Sequence, residues 1–231
     1  PTCLFSTWDP HCSPGYKLMA ALSLFGGFCS GFVVKHVINW LSIDGYKIHK
    51  NNYSLELFSG LAWIWAFSNL PVAEAGIFSL LFSILAGIAL VDYMTFQIPL
   101  VFILAGIVLA IAGLAFKVIF LTAAIWGIFV GAVIPLIIMG VLWIITKRQG
   151  MGYGDIQLGF VLGAWLGPMR MAITLFTASV LSLLTWIAVS LTTDFDKNRA
   201  MPMAPFLAIA GIGVFIGSFY YPEFFHLLIL R

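Results

Sequence analysis

Two aspartates, Asp92 and Asp155, lie at the edges of long apolar runs in a chain that otherwise keeps charge out of its hydrophobic stretches. A charge at bilayer depth is expensive, so an acid placed there is read as functional and its partner is sought. Two carboxylates within reach of one water cannot both ionise easily. One keeps a proton, and the pair then serves as general base and general acid around that water. Asp155 opens an apolar run and Asp92 closes one, so helix dipoles of opposite sign act on them and make them inequivalent. Glu56, near the start of another run, is a third acid to explain.

The residues ahead of Asp155 fit such a role. Gly150, Gly152 and Gly154 leave the backbone unobstructed, which lets an extended substrate strand lie alongside and permits unusual dihedrals. A cleavable peptide bond must be extended rather than helical. The plainer readings are that Asp155 is an N-cap, that Asp92 is an interfacial loop residue, and that Glu56 is an acid favoured by the dipole of its helix start. Asp194, Asp196, Lys197 and Arg199 read as a solvated mixed-charge loop, and Glu74 as a structural acid at a helix start.

Composition sets the class. With 62% hydrophobic residues, 9% charged residues and a mean hydropathy of +1.07, the chain cannot be solvated as a globule and reads as an integral membrane protein. At about 20 apolar residues per crossing, 231 residues hold seven to nine helices and no separate soluble domain, so residues 1–231 are expected to form one membrane-embedded domain. The net charge of +2 and the scattered basic residues give no stripe for nucleic acid. Cys3, Cys12 and Cys29 include no C-x-x-C pair, so no metal site of the usual zinc spacing is expected, nor is any cofactor. Cys3 and Cys12 are read either as a disulfide or as free thiols. The N-terminal stretch does not read as a cleaved signal peptide, because the first apolar run is long enough to span.

The apolar runs predict an all-α, polytopic fold with eight spans at about 18–41, 54–70, 74–91, 99–117, 119–146, 155–167, 170–191 and 203–221. Asn69-Leu70-Pro71 separates the second span from the third, Pro99 is expected in the first turn of the fourth, and Gly167-Pro168 ends the sixth. With the N-terminus outside, the inner loops hold Lys35, Lys47, Lys50, Lys147, Arg148, Lys197 and Arg199. Lys17, Lys117, Arg170 and Arg231 then lie outside. Crossing parity brings Glu56, Asp92 and Asp155 to the cytoplasmic level.

The run Gly150-Met151-Gly152-Tyr153-Gly154-Asp155, continuing to Leu162-Gly163-Ala164-Trp165-Leu166-Gly167, resembles the G-x-G-D signature of the type IV prepilin peptidases, a family of membrane aspartic proteases. Three further segments match in the family's order. Val91-Asp92, followed after five residues by Ile98-Pro99, is similar to its first catalytic aspartate. Tyr53-Ser54-Leu55-Glu56-Leu57 is similar to its Tyr-Pro-hydrophobic-Val-Glu-Leu segment. Met201-Pro202-Met203-Ala204-Pro205-Phe206-Leu207-Ala208 is similar to its Pro-Phe-Gly-Pro-aromatic-Leu-Ala stretch. Together the matches cover about residues 51–215.

The resemblance implies a G-x-G-D aspartic protease architecture in a bacterial inner membrane. Asp92 and Asp155 would be the catalytic pair, and Gly152, Gly154, Glu56 and Pro99 would position backbone or substrate. The implied substrates are type IV prepilins or pseudopilins of pilus or type II secretion systems, cut at the cytoplasmic face after a glycine. The chain departs from the family at Leu100, where Asn or Asp is usual, and at Gln157, where Lys is usual. Many members also carry a cytoplasmic domain with two C-x-x-C pairs between the first two helices, associated with methylating the new N-terminus. Here that stretch is only residues 42–53, without cysteine, so peptidase activity without N-methylation is expected. The competing readings are an archaeal preflagellin peptidase-like enzyme and a proton-coupled transporter using the membrane acids as a relay. No internal repeat supports the transporter.

Overall fold

A computed structural model describes residues 14–147, 152–192, 201–223 and 225. Cys3, Cys12, Gly150, Arg148 and the expected mixed-charge loop at 194–199 lie outside the described residues. Every regular element among the described residues is helical. They are α1 (Pro14–Leu41), a short 3₁₀ turn (Ile43–Gly45), α2 (Ser54–Asn69), α3 (Val72–Thr95), α4 (Leu100–Ala115), α5 (Leu121–Ile128), a π turn (Phe129–Val133), α6 (Ile134–Thr146), α7 (Tyr153–Thr192) and α8 (Ala204–Tyr220). Among the described residues, four stretches are long and apolar enough to cross a membrane: Met19–Leu41, Val72–Thr95, Leu121–Thr146 and Tyr153–Leu191. Leu100–Ala115 and Ala204–Tyr220 are apolar but shorter.

Local chemistry explains the punctuation. At Gly167 the backbone adopts φ 76° and ψ 175°, a conformation glycine takes without a Cβ penalty, and Pro168 cannot donate back across the junction. α7 is therefore two helices meeting at the place where the sequence predicts an end. Pro135 acts differently, because its ring removes a bond to the carbonyl one turn earlier and crowds it. The wide π turn at 129–133 precedes it, inside what hydropathy reads as one uninterrupted span. Phe96 has φ 56° and caps α3 in the left-handed conformation, its N–H donating to Asp92 O at 2.9 Å. α4 begins at Leu100, so Pro99 stands just ahead of the first turn, and its carbonyl accepts from Phe102 N–H.

The chain divides into two compact units, one drawn from Pro1–Gly87 with Ile111–Val118, the other from Ile88–Ala110 with Ile119–Arg231. In the first unit α1 and α2 pack backbone to backbone. A Cβ on Gly27 would lie 2.5 Å from Gly60 Cα, and one on Gly31 would lie 2.6 Å from Glu56 Cα. This Gly-x-x-x-Gly spacing lets apolar helices gain van der Waals contact where lipid supplies no hydrophobic drive. Ser30 and Ser83 hydroxyls meet at 3.0 Å, and Phe78, Leu81 and Leu85 fill the interior.

In the second unit the first half of α7 is the centre. Leu158 and Leu162 are fully buried, Trp165 packs on Phe215 of α8 at 4.4 Å, and Gly106 of α4 faces Val161. On another side Gly127 and Gly131 meet Gly163 and Gly159 so closely that a Cβ on any of the four would run into a backbone carbonyl of the opposite segment. Gly127→Val is accordingly expected to lower stability by about 1–3 kcal/mol through overpacking. Gly213→Ala, which meets nothing within 4 Å, is expected to be neutral or stabilising. Thermal unfolding of the two variants in detergent checks the contrast.

Candidate active site

Asp92 occupies the last turn of α3 and is buried, with 5% of its surface exposed. It is not the loop residue of the plainer reading. Its Oδ2 accepts a hydrogen bond from the backbone N–H of Ala204, the first residue of α8, at 3.1 Å. The local sequence explains why α8 takes an outside acceptor. Its N-cap, Met203, has no side chain that can accept, and Pro205 has no N–H. Ala204 N–H is thus an orphan donor of the helix start, and Asp92 caps it from another helix.

Asp155 lies in the first turn of α7, half-buried, and its carboxylate accepts from the backbone N–H of Gly152. The two aspartates are close enough for the charge of Asp92 to act on Asp155. The second unit thus brings together both candidate carboxylates, each held by one backbone amide.

The glycines of the motif serve space rather than dihedral freedom. Neither Gly152 nor Gly154 has positive φ, which among the described glycines is found at Gly45 and Gly167, so these two do not use the left-handed region, while Gly150 lies outside the described residues. A Cβ on Gly154 would come within 3.1 Å of Ile98, and one on Gly152 within 3.1 Å of Asp155 Oδ2. Gly154 therefore lets the α3–α4 turn, with Ile98 and the buried Pro99, close onto the start of α7. Beside Tyr153 opens a cavity of about 490 Å³ bordered by Met139, Gly140, Trp143 and Lys147, the ammonium of Lys147 standing 5.0 Å from the Trp143 ring centroid.

Glu56 belongs to the first unit and has a different partner. It is 3% exposed, and Lys35 of α1 donates to its Oε1 at 3.0 Å. The same ammonium donates to Asn52 O at 2.6 Å and Lys50 O at 3.2 Å, and lies 4.9 Å from the Tyr53 ring centroid. Asn39 holds the same connection by exchanging two bonds with the backbone of Ile48. Lys35 is therefore a buried helix residue, 7% exposed, rather than the inner-loop cation that the charge count assumes. Arg170 likewise lies within α7, its guanidinium 5.9 Å from the Phe215 ring centroid.

Sequence reasoning missed both Lys35 and Ala204. A signal existed for each: a lysine inside an apolar run calls for a buried acid, and a helix start flanked by Met203 and Pro205 calls for an acceptor from elsewhere. Among the described residues no three His, Cys, Asp or Glu side chains converge as metal ligands.

The model of the Type IV leader peptidase family matches residues 79–187, a span that includes both Asp92 and Asp155. A prepilin leader peptidase/N-methyltransferase of Stutzerimonas stutzeri is 30% identical over 193 residues, covering 76% of this chain and 63% of that protein. One from Pseudomonas putida is 33% identical over 146 residues, covering 62% and 51%. One from Dichelobacter nodosus is 41% identical over 86 residues, covering 36% and 29%. The chain thus spans less than two thirds of the length of these curated relatives. No solved structure matches. The chain fits a prepilin peptidase, as the four ordered segments imply, and with its apolar helices it is an integral membrane protein.

The buried ion pair yields a stability prediction. Lys35→Met strands the Glu56 carboxylate in an apolar interior and is expected to destabilise by about 3–5 kcal/mol, whereas the double variant Lys35→Met/Glu56→Leu recovers most of that loss. Thermal unfolding of single and double variants measures the recovery as a coupling.

Proposed function

We propose that this chain is an aspartic endopeptidase that removes the leader of type IV prepilins or pseudopilins, with Asp92 and Asp155 as its catalytic pair. The observation that carries the reading is the convergence, within one compact unit, of the two carboxylates of the family's motifs, each oriented by a backbone amide. The eight apolar runs, with Lys47, Lys50, Lys147, Arg148, Lys197 and Arg199 in the connections between them, support eight spans in a bacterial inner membrane with the site toward the cytoplasm.

The chemistry follows from the pair. One carboxylate takes a proton from a water held between the two as its oxygen bonds to the scissile carbonyl carbon. The other, protonated, gives its proton to the carbonyl oxygen. Collapse of the resulting diol returns that oxygen to a carbonyl. The C–N bond breaks as a proton passes to the leaving nitrogen, so one water is consumed and one acid and one amine are released. Asp92 is itself buried, which keeps bulk water from that carboxylate. Gly152 and Gly154 keep the approach to Asp155 free of side chains, and Pro99 sets the turn that Gly154 admits. Glu56 acts through the fold of the first unit, holding the α1–α2 connection through Lys35.

The reading is tested with purified protein in proteoliposomes and a prepilin-like peptide carrying a basic leader that ends in glycine before an apolar helix. Asp92→Asn and Asp155→Asn are each expected to reduce cleavage by on the order of 10³-fold or more, since each removes half of an acid–base pair. Cleavage surviving both single changes would sink the dyad.

The connection between α1 and α2 is a short 3₁₀ turn and a strap pinned by Lys35 and Asn39, with no domain inserted there. We therefore also propose cleavage without N-methylation. Incubation with methyl-labelled S-adenosylmethionine is expected to leave the cleaved product unlabelled, and label on its new N-terminus would refute this.

A further inference from the structure

We propose that Ala204 is a positioning residue for the reaction: its backbone N–H fixes Oδ2 of Asp92 and leaves Oδ1 as the oxygen that faces the attacking water. The inference rests on the reading of Asp92 as catalytic and adds a residue that no side-chain chemistry would single out. Three observations carry it. The bond is long-range, joining positions 112 apart in the chain, at 3.1 Å between two buried groups. Ala204 has no exposed surface and α8 is sealed below it by Leu207 and Ala208, also buried, so the amide is not free to wander or to be replaced by bulk water. The helix start has no cap of its own, because Met203 makes no side-chain bond and Pro205 has no donor, so this amide stays committed to Asp92.

The geometry has a mechanical consequence. Asp92 rides on α3 one turn before the Phe96 cap, while Ala204 opens α8, which packs along α7, the helix that carries Asp155. Through this one bond, α8 ties the orientation of the first carboxylate to the helix holding the second. A carboxylate released from such a tether can rotate and shift, and a misplacement of about 1 Å at a reacting group costs on the order of 10²-fold in rate.

The donor is removed in two ways in the full-length protein, assayed with the same peptide and vesicles. Ala204→Pro deletes the N–H but also disfavours the αR backbone of Met203 (φ −91°, ψ −27°), so it is paired with a deletion that adds no ring. Replacing the 203–204 amide by an ester, through incorporation of the α-hydroxy analogue of alanine, deletes it without adding a ring and decides the question if the proline variant fails to accumulate. Ala204→Gly keeps the N–H and controls for packing. Expected is a fall in kcat on the order of 10²-fold in the donor-deleted proteins with KM within about twofold, while Ala204→Gly stays within about threefold of the parent. A donor-deleted protein with parental kcat overturns the proposal, as does Ala204→Gly falling equally far, since packing would then be the cause. In both cases the parent still cleaves and the peptidase reading stands. A parent that does not cleave overturns that reading, and this inference with it.

Discussion

The constraint on which the second unit depends is that a carboxylate taken out of water must find hydrogen-bond donors inside the protein. Asp92 is buried on α3 just after Ile88 and Val91, whose buried side chains cannot donate. Its donor comes from a helix start, where an N–H group is left over by the geometry of the α-helix itself. Both partners gain, since the amide would be an orphan in an apolar interior and the carboxylate an unsolvated charge. Asp155 meets the same need through Gly152 N–H. Neither bond requires another polar side chain, which allows two carboxylates to be held in a chain with few charged residues.

The glycine seams let these bonds form. A backbone donor can reach a side chain on another helix only if the helices approach closely. In this chain the approach is secured where Gly127 and Gly131 face Gly163 and Gly159, where Gly106 faces Val161, and where Gly211 faces Leu162. Each contact fixes the first half of α7 from a different side. The break at Gly167 lets the second half of the helix take its own direction, so the placement of Asp155 does not depend on a straight rod of 40 residues. The π turn at 129–133 works to the same end, holding backbone against α7 opposite Gly159.

Glu56 shows the other solution to the same problem. It is as deeply buried as Asp92 but neutralised by a cation, and Lys35 spends its three donors on Glu56, Asn52 and Lys50. An acid locked to an ammonium holds a connection in place. An acid held by one neutral amide keeps its charge unpaired by any cation. Residue type alone does not separate these roles, whereas the partner does.

Much of this was legible in the sequence because it is local. Hydropathy, Pro71, the Gly167-Pro168 pair and the anomalous charges at 92 and 155 each declare themselves within a few residues, since apolar run length, proline's missing donor and the cost of a membrane charge act at short range. The ordered motifs pointed to one family and paired the two aspartates before any geometry was known. Only the tertiary structure decided which polar groups meet. Lys35 and Glu56 are separated by 21 positions, and Asp92 and Ala204 by 112. It also showed that Gly152 and Gly154 provide room rather than unusual dihedrals, because what a glycine is for depends on the atom that would strike its missing Cβ. Local sequence sets what each helix can be, and the packing of helices sets what each carboxylate can do.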